Sequence, residues 1–230
     1  MSDEQFKSGE RGDAYQYDLE VIRRVEGVVP PKQARSSAVL QRILRAMDKL
    51  IYEKDFDSIT IPEVAALAGC GMAAIYSRFK DKASILAALH ESLRSNLLSV
   101  DEVFPPGDWQ IHTVDENLRA LVHRLVEYYS NNRGLLTATL MMKDLGCYER
   151  AAKNISHISK LLTEHLFEHV ENGREVINPE AVDVGVRAVF ATLQQRLIFF
   201  PVLVGSHAPQ TDEELCDQLT RLLRSTIFFQ

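Results

Sequence analysis

The sequence predicts an all-α fold, with a small N-terminal helix-turn-helix domain followed by a larger helical domain. Three observations carry this expectation. Apolar residues recur at helical spacing in block after block; no stretch alternates apolar and polar residues as a half-buried strand does; and short runs rich in Gly, Pro, Asn and Ser separate the blocks. With 230 residues and 46% hydrophobic content, the chain has room for one large domain or for a small one joined to a larger one.

Residues 1–31 are the least patterned part and read as a loosely organised arm. Asp18 to Val25 has the length of a short helix, which Gly27 and Pro30-Pro31 end. From Ser36 the periodicity becomes regular. Leu40, Ile43, Leu44, Met47, Leu50 and Ile51 form one stripe on a helix of about four turns. That helix stops near Lys54-Asp55. Thr60-Ile61-Pro62-Glu63 has the form of a capping box, in which the threonine hydroxyl satisfies an amide three residues on and Glu63 reaches back. Pro62 is tolerated in the first turn. A short helix from Ile61 to Ala68 follows, Gly69 supplies a left-handed turn, and a second short helix runs from about Met72 to Phe79. Ile85, Leu86, Leu89, Leu93 and Leu97 then mark a longer helix starting at Lys82.

Phe104-Pro105-Pro106-Gly107-Asp108 interrupts the pattern. Beyond it lie helical blocks at Val114–Ser130, Gly134–Leu145, Tyr148–Val170, Pro179–Phe200 and Asp212–Phe228. The expected domains are an arm over 1–34, a DNA-binding domain over 35–82, a connecting helix over 83–103 and an effector-binding and dimerisation domain over 104–230.

The net charge of −6 argues against nucleic acid as a partner until its distribution is examined. Residues 32–90 carry +3, between flanks of −3 over 1–31 and −6 over 91–230. The basic segment is the one that holds the two short helices. Three cysteines, Cys70, Cys147 and Cys216, lie far apart without CxxC spacing, which suits a reducing compartment better than a disulfide framework. The polar start, MSDEQFKSGERGD, lacks the apolar core of a secretory leader, and the apolar run Leu197–Val204 contains Pro201 and is too short to span a bilayer. A cytoplasmic protein without a membrane partner is expected.

No nucleophile elbow, phosphate-binding loop or dinucleotide fingerprint occurs in the chain, so neither an enzyme nor a cofactor is expected. His165 and His169 lie four apart, with His157 two turns upstream, but solvated polar residues on an exposed face explain them more simply than a metal site.

Two short helices joined by a glycine-containing turn and packed on a longer preceding helix make a helix-turn-helix, whose second helix enters a major groove. Ala65, Ala66 and Ala68 are small enough for close helix approach, while Ile75 and Phe79, four apart, face inward. The run from Ile43 to Leu86 resembles the DNA-binding domain of the TetR (tetracycline-repressor-like) transcriptional regulators. The resemblance rests on Thr60, Ile61, Val64, Ala65, Ala68-Gly69, Tyr76-Ser77-Arg78-Phe79-Lys80-Asp81-Lys82 and Leu86. Three departures stand out. Asp55 replaces a glycine common at the end of the first helix, Cys70-Gly71 replaces Val-Ser, and Ala74 replaces a Thr or Ser able to hold phosphate.

The resemblance implies a homodimer on a palindromic double-stranded DNA operator, released by a small-molecule effector. Phosphate contacts position such a protein and base edges specify the sequence. Thr60, Tyr76 and Lys82, with Arg78 and Lys80, are the expected phosphate contacts. Gly71, Met72, Ala73, Ala74 and Ser77 face the bases, where methyl groups meet thymine methyls. Arg35, on an arm just before the first helix, is placed to enter a minor groove. The expected effector pocket draws on Trp109, Tyr128, Met141, Met142, Phe167, Phe190 and Gln194, although core packing explains any single apolar one of these more simply. A lipophilic or aromatic effector suits a domain that is acidic and has no basic cluster. By position, the last two helices form the dimer interface through Val186, Phe190, Leu193, Leu197, Leu215, Leu219 and Leu222. The rival reading is a helical ligand-binding or scaffold dimer whose apolar 72–75 stretch has weakened sequence-specific readout.

Overall fold

The computed structural model describes residues 16–31, 33–97, 113–141, 145–170, 177–199 and 211–228. Among them are ten α-helices and no strand, with one isolated bridge between Val28 and Phe79. The chain divides into two compact units, residues 1–97 with 131–144 and residues 98–130 with 145–230.

The first unit contains α1 (Leu19–Ile22), α2 (Ala34–Glu53), α3 (Ile61–Ala68), α4 (Met72–Tyr76), α5 (Lys82–Leu97) and, from later in the chain, α7 (Arg133–Met141). The apolar stripe of α2 is buried as its spacing predicts: Leu40, Ile43, Leu44 and Met47 are all at 0% exposure. Val64 and Ala68 of α3, Ile75 of α4, Phe79, and Ile85, Leu86 and Leu89 of α5 close the same core. Each fully buried Leu, Ile or Phe contributes about 1.5–3 kcal/mol relative to exposure. That packing holds helices as short as α3 and α4, which are too short to be stable alone.

The arm is where structure and expectation differ most within the described residues. Residues 16–31 are packed: Tyr17 and Ile22 are 2% and 1% exposed and belong to the same core. The reason lies in polar residues on an apolar helix. Gln41 of α2 accepts from the Tyr17 N–H (2.9 Å) and donates to its carbonyl (2.7 Å), and the Tyr17 hydroxyl donates to Asp48 (3.1 Å). Lys54 and Asp55 leave α2 in extended conformations (φ −158° and −59°), so no left-handed residue is needed and none is strained. The reading helix is shorter than expected, ending at Tyr76 with turn residues after it, and α2 begins at Ala34.

The second unit contains α6 (Val114–Asn131, apart from its last residue), α8 (Leu145–Val170), α9 (Pro179–Phe199) and α10 (Asp212–Phe228). Thr113 with Glu116, and Thr211 with Glu214, cap α6 and α10. Arg119 pairs with Asp217, and Arg224 donates to Asp115 at 2.5 Å, so α6 and α10 lie side by side in opposite directions. These exposed pairs set alignment more than stability. Gly185 lets α9 approach α10 closely, since a Cβ there would sit 2.9 Å from Leu223 Cδ1.

Most residues expected at the dimer interface are enclosed within this unit. Val186, Phe190, Leu193, Leu215 and Leu219 are buried in the single chain. Leu222 is 37% exposed, and the Leu197 side chain lies outside the described residues. No helix among the described residues is long and apolar enough to cross a membrane.

Gly134 in α7 offers a test of the first unit. A Cβ at this position would lie 2.7 Å from the Ile51 carbonyl oxygen. In an open helix Gly→Ala stabilises by roughly 1 kcal/mol. Here overpacking against backbone reverses the sign, and Gly134→Ala should destabilise by about 1–3 kcal/mol in denaturant unfolding. A stabilised variant would contradict this packing.

Candidate nucleic-acid interface

The helix-turn-helix is built from local chemistry outward. At the start of α3, Glu63 accepts from the Thr60 N–H and the Thr60 hydroxyl, both at 2.8 Å. Lys54 adds its ammonium at 2.5 Å. Lys54 first, then the Thr60 donors, hold the Glu63 carboxyl down at about 2 from an ordinary 4.5. At the other end Gly69 adopts φ +60°, and the Cys70 N–H closes the turn on the Ala65 carbonyl at 3.0 Å. Gly71 caps α4 in extended conformation (φ −78°) with open space around it, so it holds its place without any need for a left-handed residue.

The five residues of α4 are oriented by two anchors. Ile75 at 0% and Phe79 at 1% exposure sit in the core. The opposite face therefore turns outward: Met72 is 51% and Tyr76 57% exposed, and Gly71, Ala73, Ser77 and Lys80 are exposed with them. Ala74 is half-buried, and the Ser77 hydroxyl donates to its carbonyl at 2.9 Å. Thr60 is exposed at the start of α3. The outward surface is thus a methyl- and thioether-bearing tip flanked by a phenol, an ammonium and backbone amides.

Three cations are placed differently from a free phosphate contact on an arm or loop. The Lys82 ammonium donates to the carbonyls of Phe56 (2.8 Å), Ile59 (2.8 Å) and Asp57 (3.3 Å), and lies 4.4 Å from the Phe56 ring centre. An ammonium has three donors, so its hydrogen-bonding capacity is directed into the turn that leads to Thr60. The Arg78 guanidinium is half-buried and donates to Ser36 at 2.8 Å. Arg35 is exposed but lies in the first turn of α2, so it projects from a helix. The Arg78–Ser36 bond brings that end of α2 beside the end of the reading helix.

Three residues of consequence escape the apolar pattern: Gln41, Asp48 and Ser92. Gln41 and Asp48 stand seven apart, on one face of α2, among residues of the buried stripe. Two polar residues on an otherwise apolar face are the signal that something polar must cover them.

In the second unit Tyr129 is 7% exposed and meets Phe190 edge-on, with ring centres 6.1 Å apart, and half-buried Tyr128 edge-on at 5.8 Å. Burial pushes the Tyr129 phenol up to about 12, opposed by a hydrogen bond with Gln194. Gln194 and Phe190 of the expected pocket set thus adjoin Tyr129. Phe167 is 49% exposed. Trp109 and Met142 lie outside the described residues, as does the Met141 side chain. The His165 Nδ1 lies 2.9 Å from the Leu161 carbonyl, and the His169 side chain is outside the described residues. No group of three or more metal-ligating side chains gathers among the described residues.

The Glu63 carboxylate gives a pH test. Its folded value is depressed, so its contribution to stability is present above about 4.5 and is lost as pH falls toward about 2. The stability difference between wild type and Glu63→Gln should therefore shrink through that window in acid titrations followed by circular dichroism. A constant difference would show that the carboxylate charge is irrelevant to the cap.

Residues 43–89 match the sequence model of "Bacterial regulatory proteins, tetR family". No curated protein matches the chain. Among solved structures, the chain is similar to the transcriptional regulator FadR from Bacillus subtilis in complex with stearoyl-CoA, at TM-score 0.55 and 18% identity over 81% of this chain and 96% of that one. It is similar also to the TetR family regulator PfmR from Thermus thermophilus, at TM-score 0.54 and 23% identity over 80% and 97% of the two chains. A third is the ketosteroid transcriptional regulator KstR2 of Mycobacterium tuberculosis, at TM-score 0.50 and 17% identity over 90% and 100%. These identities establish a shared fold, with a helix-turn-helix head and a helical C-terminal domain. The head thus matches the tetR family model over residues 43–89, and the described helices share the fold of solved TetR-family regulators.

Proposed function

We propose that this regulator is a homodimeric repressor that binds a palindromic operator through residues 60–80 and is released by a small lipophilic or aromatic effector. The observation that carries the reading is the outward face of α4, set by the buried pair Ile75 and Phe79. Tyr76, Lys80, Thr60 and the amides at the start of α3 contact phosphates. Met72 and Ala73 meet thymine methyls, while Gly71 lets backbone approach the groove closely. Arg35 adds an exposed charge at the start of α2. Lys82, Arg78 and Ser77 serve by holding the backbone that carries these contacts, and Ala74 by packing beneath them.

A dimer places two reading helices about 34 Å apart, one turn of DNA. The exposed apolar residues of the last two helices, Val184 at 57% and Leu222 at 37%, supply its contact face. An effector enters the second unit near Tyr128, Tyr129, Phe190 and Gln194, where one phenol and one amide orient a mainly apolar molecule. A lipophilic class suits this lining, and FadR carries stearoyl-CoA in the same fold. Effector binding and operator binding oppose one another as a coupling between two sites.

Footprinting on DNA upstream of the protein's own gene tests the reading. Protection of a symmetric site is expected, lost with Tyr76→Ala, while Lys80→Ala lowers the salt dependence of binding by about one phosphate contact. Binding confined to low salt, with no preferred sequence, would favour a scaffold with weakened readout. For the effector, hydrophobic compounds should raise the melting temperature by binding the folded state. A screen in which none does so would refute the apolar pocket.

A further inference from the structure

The family model begins at residue 43, yet the core of the head begins at Tyr17. The residues between do more than fill space. Tyr17 is held on α2 through Gln41 and Asp48, and the next N–H, that of Asp18, donates to Ser92 of α5 at 2.7 Å. The Asp18 carboxylate caps α1, accepting from the amides of Glu20 and Val21. The chain then turns at Gly27, whose φ of +79° would strain any side chain, and a Cβ there would fit tightly, 3.1 Å from Ser84 Cβ and 3.3 Å from Lys80 Cβ.

That turn aims residues 27–29 at the backbone leaving the reading helix. The Lys80 N–H donates to the Gly27 carbonyl at 2.9 Å, the Val29 N–H donates to the Arg78 carbonyl at 2.7 Å, and Val28 and Phe79 form the bridge between them. Arg78 is gripped on both sides, by Val29 through its carbonyl and by Ser36 through its guanidinium. These two ladder bonds fall just after Tyr76 and either side of Phe79, at the join between α4 and α5. A five-residue helix has little rigidity of its own, so its orientation follows whatever fixes its two ends.

We infer that residues 17–29 are a clasp that positions the reading helix for DNA, with Gln41 and Gly27 as positioning residues at its two ends. The clasp touches no base. It pre-organises Tyr76 and Lys80 by fixing the backbone between them and α5, and so removes an ordering cost that would otherwise fall on binding. This inference rests on the DNA-binding reading above.

The test uses the full chain and a labelled duplex selected by the wild-type protein from a random-sequence library. Gln41→Leu keeps the side-chain volume and deletes both bonds to Tyr17. Gly27→Ala strains the turn at the other end. Tyr17→Phe serves as a control that retains the Gln41 bonds. Affinity is measured well below the melting temperature, with circular dichroism showing each variant folded, so lost stability alone does not alter it. Amide exchange at Val29 and Lys80 reads the clasp directly. Gln41→Leu and Gly27→Ala should exchange faster at both amides and bind the duplex about tenfold more weakly, with Tyr17→Phe near wild type. Faster exchange with unchanged affinity, or unchanged exchange, would overturn the clasp while wild-type binding stood. A wild-type chain that selects no duplex would overturn the DNA-binding reading and the clasp with it.

Discussion

The reading helix has five residues, and a helix that short has no stability or direction of its own. Its geometry is imposed by Ile75 and Phe79, both buried in a core assembled mainly from α2, α3 and α5. Because these two residues point inward, Met72, Tyr76 and Lys80 point outward. Nearly every other feature of the head serves to keep that arrangement in register. The capping box fixes where α3 starts, Gly69 fixes the turn, and Lys82 ties the start of α5 to the carbonyls of residues 56, 57 and 59 just ahead of Thr60. The head therefore commits the Lys82 ammonium to its own backbone and the Arg78 guanidinium to Ser36.

That allocation shapes recognition. A surface with a phenol, an ammonium and several small apolar groups offers few hydrogen bonds to base edges. In the function proposed above, its discrimination comes from methyl contacts and from the fit of closely approaching backbone, with phosphate contacts supplying affinity. Gly71, one of the departures from the family pattern, has open space around it and in the proposed reading leaves room for such an approach. The second unit works on different chemistry, with buried aromatic edges around Tyr129 and a single amide from Gln194.

Local features were readable in the sequence because their causes are local. Thr60 and Glu63 are three apart, Gly69 ends a run of alanines, and the α2 stripe follows helical spacing. The outward direction of α4 was readable too, since Ile75 and Phe79 are four apart. What stayed hidden depends on partners distant in the chain. Lys82 and Phe56, Arg78 and Ser36, and Tyr17 and Gln41 meet only after the helices pack, and nothing in their neighbours announces it. The interface set illustrates the same limit. A period of apolar residues says that a helix buries one face, but whether against its own chain or a second copy is decided by tertiary packing, and Val186, Leu193 and Leu219 are already buried in the single chain.

The central claim is that a core-anchored α4 presents its Met72–Tyr76 face to DNA. Amide exchange of the wild-type chain with and without its selected duplex tests this most directly. The account predicts added protection concentrated at the start of α3 and across residues 71–80. Protection elsewhere with these segments unchanged, while the duplex is bound, would contradict it.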